Sequence, residues 1–295
     1  MTAATVDRIP ERPTPPRSSR QRKAALVVIV VIAAIWSISG LDVTVERLLS
    51  APGDAWKIFR PMLRPDFAEE IDRGVFGKVF ESVYIAWTGT IIAAVVSLPL
   101  AFMAAANVAP AWIRLPMRQL FSAIRAVPEL IVAGVLIAVT GLGPWAGALA
   151  IGLHSVGTLG KLSAESIESA DRGPIDAVEA CGGRWVSRMR WAVLPQVLPI
   201  IASYWLFRFE INVRASAVLG MIGAGGVGSE LVIQLSFRNF DAVGAILIVT
   251  IVVVLIIDTV SGAVRRRIIA GGAPERSATL EAVFDLFGRI SRRRS

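Results

Sequence analysis

Charged residues, cysteine and histidine are all scarce in this sequence. Charged residues make up 18% of the 295 positions, against about 25% in an average soluble domain. The single cysteine, Cys181, excludes a disulfide framework, an iron–sulfur cluster and a cysteine-rich zinc site. The single histidine, His154, argues against a histidine metal centre and against a Ser/His/Asp hydrolase. We therefore expect neither a metal site nor a bound cofactor in this chain.

Long apolar stretches stand where charged residues are missing. Hydrophobic residues make up 54% of the chain, and the mean hydropathy is +0.62. A helix needs about 20 mainly apolar residues to cross a bilayer. The Gly-Leu-Gly-Pro turn at 141–144 divides one long apolar run into two helices. The sequence therefore predicts an all-α membrane protein with about six transmembrane helices. They lie near residues 24–40, 83–106, 120–140, 145–161, 193–213 and 242–264.

Lysine and arginine predict the orientation of these helices, because cytoplasmic loops carry an excess of both. With both termini in the cytoplasm, the inner segments hold 21 lysines and arginines. The outer loops, 42–81 and 215–241, then hold 7. We therefore expect a multi-pass protein of the cytoplasmic (inner or plasma) membrane. The net charge of +8 is interpreted as a topology signal and a contact with lipid headgroups, so nucleic acid is not an expected partner.

The predicted organisation has one membrane core and two basic tails. The C-terminal tail contains either an amphipathic helix on the inner leaflet or a segment docked on a partner. The full division is a disordered basic cytoplasmic tail at 1–23, a first transmembrane helix at 24–41, an extracytoplasmic loop at 42–81, a core at 82–265 with a cytoplasmic loop at 161–192, and a basic cytoplasmic tail at 266–295.

The cytoplasmic loop at 161–192 is much longer than a turn requires, and such loops are usually functional. We expect it to form a short helical projection. Pro174 would occupy the first position of a helix, and Gly182-Gly183 would end it. The stretch 177–183 is rich in small residues, so this projection is suited to a groove of another protein.

The projection carries a spaced motif, with Asp176–Val178 followed by three residues, Gly182, and later Leu194-Pro195 at the start of the next span. This motif resembles that of the permease subunits of ABC importers, which reads Glu-Ala-Ala, three residues, Gly, and later Leu-Pro. Here Asp replaces Glu and Val replaces the second Ala. The resemblance implies that the motif residues couple the channel to an ATPase. They are Asp176, Ala177, Val178, Gly182, Leu194 and Pro195.

Further segments resemble the phosphonate-type permeases of that family and together cover about 75–265. They are 99–107, 125–129, 141–144, 153–161, 194–199, 208–214 and 219–226. The resemblance implies the fold of a type I ABC importer permease, with 82–265 as the permease core. It also implies a homodimer of the permease, two ATPase subunits and an extracytoplasmic substrate-binding protein. ATP and Mg would be bound by the ATPase subunit, since this chain has no G-x4-G-K-[ST] sequence.

The fifth predicted span carries Arg208 and Glu210, and Arg214 lies just beyond its end. Charged residues are costly in lipid and normally face a bundle interior or an aqueous cavity. Glu210 and Arg214 are four residues apart, so we expect them to pair on one helix face. Arg208 points elsewhere, which leaves one unpaired cation per subunit. Its planar guanidinium suits the oxygens of a phosphorus oxyanion. Two interpretations stay open, a substrate path and an ion-pair network that only sets the packing of this span.

Three other polar residues in the predicted spans are candidates for the substrate path. Arg125 and Glu129 flank Pro128 at the start of the third span. We expect them to organise the start of that helix near the cytoplasmic mouth. His154, in the fourth span, is either a hydrogen-bonded packing residue or a contact to substrate or gate.

The glycine-rich stretch at 223–228 matches G-x-G-x-x-G. A dinucleotide site with that pattern needs a preceding strand in a βαβ unit. This stretch lies between membrane helices, so we reject the nucleotide interpretation. Non-helical backbone at membrane depth is tolerated only against protein or a water-filled cavity. We therefore expect a re-entrant turn that lines the outer mouth of the path. Its glycines are Gly223, Gly225, Gly226 and Gly228.

The leading functional hypothesis is the membrane channel subunit of an ATP-driven importer. Its substrate would be phosphonate or a related phosphorus oxyanion such as phosphate or phosphite, and the chain itself would not be an enzyme. The alternative is a secondary transporter or channel for a small anion that works without an ATPase, which predicts ionisable residues in both halves of a repeat. Copurification of a Walker-motif subunit distinguishes the two, because only the importer has one.

Overall fold

The computed structural model describes residues 17–39 and 45–269, and within these ranges the chain is helical, without a strand. The helices are α1 (Arg17–Ser39), α2 (Val45–Met62), α3 (Phe67–Asp72), α4 (Val75–Ala104), α5 (Ala111–Ala126), α6 (Glu129–Thr140), α7 (Pro144–Glu168), α8 (Arg172–Ala180), α9 (Trp185–Arg188), α10 (Leu194–Leu219), α11 (Gly226–Ser236) and α12 (Phe240–Ile269). Two π-helical segments, Met189–Val193 and Gly220–Ala224, flank α10. The predicted all-α class is confirmed.

The chain divides into two compact units, Met1–Phe59 and Arg60–Ser295. In the first unit, α1 begins at Arg17, so the end of the predicted N-terminal tail, at residue 23, falls inside a helix. The arginine, glutamine and lysine there are good helix formers. The predicted amphipathic helix of the C-terminal tail lies outside the described residues. In the second unit, the predicted outer loop 42–81 ends in α3 and the first turns of α4.

The core of the second unit is built on α4 and α7, which run parallel and lie unusually close. A Cβ atom on Gly89 of α4 would lie 2.8 Å from the carbonyl oxygen of Ala148 in α7, so the approach requires glycine. A Cβ atom on Gly160, further along α7, would overlap the ring of Phe121 in α5. Small residues allow such contacts between membrane helices. α10 packs against both α4 and α7, so polar groups on all three helices are within reach of one another.

The predicted third span is broken in two. α5 and α6 meet at Val127-Pro128 with a bend of 87°. Val127 has an extended backbone, the conformation that a following proline favours, and Pro128 has no amide hydrogen to continue the helix. The prediction of one helix at 120–140 is therefore wrong: the first half begins at Ala111, and the second begins at Glu129.

The predicted fifth span is part of a continuous rod of 40 residues, Trp185–Ala224, which is longer than the predicted 193–213 at both ends. α9 passes through the first π-helical segment into α10, and the second π-helical segment follows. Pro195 and Pro199 lie in the first turns of α10. The rod joins the motif residues Leu194-Pro195 to the charged residues of the span on one element. Single-turn π segments are frequent at functional sites.

Three elements of the described chain are long and apolar enough to cross a membrane: α4, the rod 185–224, and α12. The bent pair of α5 and α6 passes the same test as one broken span, which raises the number to four. α7 occupies the place of the predicted span 145–161, and α1 occupies that of 24–40. The total of six spans and the cytoplasmic location of both termini stay predictions.

Candidate substrate site and coupling surface

Arg208, halfway along α10, is buried, with 9% of its surface exposed, and is held by α7. Its Nε donates to the Oγ of Ser155 at 2.8 Å. In the described part of the chain, no carboxylate oxygen lies within 4.0 Å of its guanidinium, and its two terminal nitrogens make no hydrogen bond. These terminal nitrogens are not fully enclosed either. The predicted unpaired cation is thus present, with one edge fixed and the other presented to an acceptor.

A chain of hydrogen bonds across three helices holds Arg208 in this position. Ser155 Oγ donates to Asn212 Oδ1 at 3.3 Å, and Asn212 Nδ2 donates to Thr90 Oγ1 at 2.8 Å. Thr90 in turn donates to the carbonyl oxygen of Ala86 in its own helix at 2.7 Å. Ser155 and Asn212 are completely buried. The Ala86 carbonyl can only accept, so Thr90 must donate to it and accept from Asn212. The direction of every hydrogen bond in this series is thereby determined.

Glu129 and His154 are two titratable groups that interact with Arg208. Both interact electrostatically with its guanidinium, Glu129 from the first residue of α6 and His154 from α7. Glu129 Oε1 and His154 Nδ1 are buried and have no hydrogen-bond partner in the described structure. Buried polar atoms are nearly always paired. Two such unpaired atoms beside a cation therefore mark a place where a polar ligand or water is needed.

The break between α5 and α6 lies beside the middle of α7. A Cβ atom on Gly157 would lie 3.1 Å from Arg125 Cγ, and Gly157 is one turn from His154. The expectation that Arg125 and Glu129 lie near the cytoplasmic mouth stays a prediction. Arg125 itself is exposed, whereas Glu129 is half-buried.

Glu210 and Arg214 do not pair with each other, contrary to the prediction. Glu210 lies 3.2 Å from Arg265, and Arg214 holds both oxygens of Asp258 at 2.7 and 2.9 Å. Both partners belong to α12, which packs along α10. The i, i+4 rule describes an isolated helix, and here the neighbouring helix offers closer opposite charges. These two ion pairs join α10 to α12.

The predicted projection from the cytoplasmic loop is formed by α8, which has no buried residue. The side chain of Asp171 caps its first turn by accepting from the Gly173 amide at 3.2 Å. Pro174 therefore occupies the third helical position and not the first, and it still costs no hydrogen bond there. Gly182 ends the helix with a left-handed φ of 75°, and the Gly183 amide donates to the Val178 carbonyl at 2.9 Å.

The exposed side of α8 is a suitable docking face. Asp176 and Ala177 are exposed on it, and Trp185 and Val186 of α9 add exposed apolar surface, 49% and 66% exposed. Val178 is only half-buried and faces the following loop. This face of α8 and α9 is exposed and partly apolar, so it can enter a groove of a partner protein.

Two polar contacts tie α8 to the membrane helices. Gln196 of α10 accepts from the Asp171 amide at 2.9 Å and donates to the Asp171 carbonyl at 3.3 Å. A separate contact, in which Glu168 at the end of α7 accepts from Arg118 of α5 and from the amide of Ala106, holds α7 to α5 and to the segment after α4. A displacement of α8 would therefore act directly on α10, which carries Arg208.

The glycine-rich segment is packed between α4 and the 141–144 turn. Gly223 and Gly225 have left-handed φ angles of 104° and 79°, and the Gly223 carbonyl accepts from the Gly143 amide at 3.0 Å. The Val227 amide donates to Ser82 of α4 at 2.9 Å. Gly226 and Gly228 are buried, and α11 begins at Gly226. The predicted break in the backbone is present. Gly223 is non-helical within the π-helical segment Gly220–Ala224, and Gly225 follows it with a left-handed φ.

Sequence reasoning did not identify several residues of these sites. Thr90 and Asn212 read as ordinary polar residues within apolar runs, and Ser155 as the neighbour of His154. The acidic Asp258, within the predicted sixth span, was a signal that a cation would be needed nearby. Within the described ranges, no group of three or more histidine, cysteine, aspartate or glutamate side chains is arranged to hold a metal ion.

A family of known membrane proteins matches residues 97–270, which include the Arg208 site and α8. It is described as the binding-protein-dependent transport system inner membrane component. The chain belongs to this family, and it is a permease subunit of a type I ABC importer. In such systems ATP is hydrolysed by a separate subunit, and a substrate-binding protein is a further component.

Individual relatives agree with this assignment. The chain is 39% identical over 245 residues to the phosphite transport system permease protein PtxC of Stutzerimonas stutzeri, covering 83% of this chain and 88% of that protein. It is 41% identical over 216 residues to the phosphate-import permease protein PhnE of Mycolicibacterium smegmatis, covering 72% of this chain and 40% of that protein. The MetNI methionine ABC transporter, in an inward-facing conformation, has a similar fold, with a TM-score of 0.60 and 18% identity over 68% of this chain and 99% of that chain.

Proposed function

We propose that this chain forms the membrane channel of an importer for a phosphorus oxyanion, phosphonate in the first place and phosphite or phosphate as the related candidates. The single observation that carries the proposal is the buried Arg208, whose terminal nitrogens make no hydrogen bond in the described structure and whose charge interacts with Glu129 and His154. The names of the relatives PtxC and PhnE support the same class of substrate.

Arg208 is the substrate-contacting cation in this proposal. An anion that enters a low-dielectric region needs compensation, yet it must also leave. The two terminal nitrogens of a guanidinium can donate together to two oxygens of one tetrahedral anion. The hydrogen-bond chain from Ser155 to Thr90 keeps this donor pair oriented before the anion arrives, so little side-chain entropy is lost on binding. Glu210 and Arg214 serve the packing of α12 and not the anion.

α8 is the surface that receives the ATPase subunit. Asp176, Ala177 and Val178 are on the projecting helix, and Gly182 ends it in the conformation that the turn requires. Leu194 and Pro195 begin α10, so they are next to the Gln196 contact through which a movement of α8 reaches the Arg208 site.

The complete transporter would contain a homodimer of this permease, two ATPase subunits and an extracytoplasmic binding protein in the cytoplasmic membrane. With six spans and both termini inside, α8 lies on the cytoplasmic face and the 223–228 segment on the outer face. Its glycines Gly223, Gly225, Gly226 and Gly228 would then line the outer mouth. In a two-fold assembly, two copies of Arg208 would serve one path.

Uptake by a strain that lacks this chain tests the proposal. Cells complemented with the wild-type chain should take up labelled methylphosphonate, phosphite or phosphate, and unlabelled anions of the same class should compete. Purification of the tagged chain should yield an ATPase subunit in equal amount. Restored uptake without an ATPase subunit would instead indicate a secondary transporter or channel, and uptake of none of the three anions would contradict the substrate class.

A further inference from the structure

Glu129 is a buried acceptor for which the described structure provides no donor. It is the first residue of α6, immediately after the 87° bend at Val127-Pro128. Its Oε1 is enclosed and makes no hydrogen bond. An ionised carboxylate can only accept hydrogen bonds, so it needs a donor wherever water is excluded.

The natural donor, Arg208, is close but does not reach it. The charges of Glu129 and Arg208 act on each other, yet in the described part of the chain no nitrogen of Arg208 lies within 4.0 Å of a carboxylate oxygen. The Nε of Arg208 is directed to Ser155 on α7 instead. An unpaired acceptor on α6 and a pair of free donors on α10 therefore interact without a direct hydrogen bond between them.

His154 is a third polar group in this cluster. Its Nδ1 is also buried without a partner, and it interacts with Arg208. The ionisable groups of the cluster are thus Glu129 of α6, His154 of α7 and Arg208 of α10, and the exposed Arg125 is on the last turn of α5. A molecule bound between Arg208 and Glu129 must offer lone pairs to the guanidinium and a hydrogen to the carboxylate.

We propose that Glu129 accepts the P–OH hydrogen of a monoprotonated phosphorus oxyanion held by Arg208, and that it thereby selects such anions against fully deprotonated ones. The proposal rests on the function proposed above for Arg208. A hydrogen phosphonate offers deprotonated oxygens to the guanidinium and one hydroxyl to the carboxylate. A sulfonate or sulfate at neutral pH has no hydrogen, so its oxygens and those of Glu129 repel each other in this buried, poorly screened environment. The same arrangement therefore discriminates by protonation and not by size.

Methylphosphonate and methanesulfonate form a suitable pair of probes. At mildly acidic pH both are monoanions with one methyl group and three oxygens on a tetrahedral centre, and only methylphosphonate carries a hydroxyl. Binding is measured by equilibrium dialysis of labelled methylphosphonate with the complete permease–ATPase complex in lipid nanodiscs, without the binding protein, whose own selectivity would otherwise mask that of the permease. Methanesulfonate is added as an unlabelled competitor.

The wild-type complex should prefer methylphosphonate by at least about tenfold, because a site built around a hydroxyl rejects an analogue that lacks it. Glu129→Gln has a side-chain amide that can donate to a sulfonate oxygen, so it should bind methanesulfonate more tightly and methylphosphonate more weakly. Glu129→Asp retains the acceptor and should retain the preference. Glu165→Gln, at an exposed acid of α7 paired with Lys161, is the matched control and should behave as wild type.

Several outcomes would overturn the proposal. Equal binding of both probes by the wild-type complex would show that Glu129 does not read the hydroxyl. A gain in affinity for both probes in Glu129→Gln would mean that the carboxylate merely competes with anions for Arg208. Arg208→Ala distinguishes failure of the Glu129 proposal from failure of the proposed substrate site. If Arg208→Ala binds neither probe and the wild-type complex does not discriminate between them, only the role of Glu129 is overturned. Undiminished binding of methylphosphonate by Arg208→Ala, or no binding by wild type, overturns the proposed substrate site as well.

Discussion

Arg208 on α10 donates from Nε to the Oγ of Ser155 on α7, over 2.8 Å, so the cation that we propose to hold the anion is oriented by a second helix. Ser155 is in turn committed to Asn212, and Asn212 to Thr90 on α4. The cation therefore does not move independently of the helix packing. A change in the relative position of α7 and α10 would turn the guanidinium and alter its hold on a bound anion.

Replacement of Ser155 by alanine should weaken substrate binding while leaving the complex assembled. The change removes the acceptor of Arg208 Nε and the donor to Asn212. A hydrogen bond to a charged group is worth about 1.5–3 kcal/mol, so affinity for methylphosphonate should fall about tenfold or more. The measurement is equilibrium binding to the purified permease–ATPase complex.

Ser163→Ala is the matched control for this prediction. Ser163 is on the same helix and equally buried, but its hydroxyl has no hydrogen-bond partner in the described structure. Its removal should leave binding unchanged and should not lower stability. An equal loss of affinity in the Ser155 and Ser163 variants would show that the hydroxyl of Ser155 does not position Arg208.

Ala177→Arg should release the ATPase subunit. Ala177 is exposed on α8 with ordinary helical backbone, so a large charged side chain changes the docking face without straining the projection. Copurification of the ATPase with the tagged permease should fall to background, and uptake should be lost. Ala111→Arg, at an exposed position on the first turn of α5, should retain both, and undiminished copurification by Ala177→Arg would contradict the docking assignment.

Gly182→Ala should act through α8 itself and not through bulk. A Cβ atom at Gly182 would meet no other atom within 4 Å, but the φ of 75° is unfavourable for any residue with a side chain. We expect a stability loss of about 1 kcal/mol in the helix end and a partial loss of ATPase copurification, milder than that of Ala177→Arg. If Gly182→Ala released the ATPase subunit completely while the stability of α8 was little changed, direct contact between Gly182 and the ATPase subunit would be favoured instead.

Charge reversal should identify the partner of Glu210. The pair with Arg265 joins α10 to α12, with Glu210 almost fully buried. Breaking a buried ion pair costs about 3–5 kcal/mol because it leaves one charge without compensation. Glu210→Arg or Arg265→Glu alone should therefore lower the melting temperature and the yield of assembled complex. The double reversal should restore much of both, whereas a double reversal no better than the single variants would argue against the pair.

Sequence patterns predicted the helical class, the family and the presence of a projecting cytoplasmic helix. The predicted helices at 145–161 and 242–264 fall inside α7 and α12. α7 extends beyond the prediction because its ends are set by Gly143 and Ser169 and not by hydropathy. The break at Val127-Pro128 was readable from Pro128, since a proline disfavours helical backbone in the residue before it.

The site residues were predicted only in part, because their partners are distant along the chain. Arg208 stood out as a charge in an apolar span, but its bond to Ser155 crosses 53 positions and that of Asn212 to Thr90 crosses 122. The prediction that Glu210 pairs with Arg214 used local helix geometry and was wrong, since α12 supplies Arg265 and Asp258. Pairings of this kind depend on which helices are neighbours, and that information is absent from the spacing of residues within one helix.

Uptake by an Arg208→Met complex tests the central claim most directly, because methionine fills much of the arginine volume without its charge or its donors. We expect this complex to assemble with the ATPase subunit, to show basal ATP hydrolysis like wild type, and to take up methylphosphonate at less than about a tenth of the wild-type rate, since two charge-assisted hydrogen bonds to the anion are lost. Arg208→Lys should recover part of the uptake, because its charge survives while the fork of donors does not. Transport at the wild-type rate by a well-assembled Arg208→Met complex would contradict the account and leave Arg208 with a packing role.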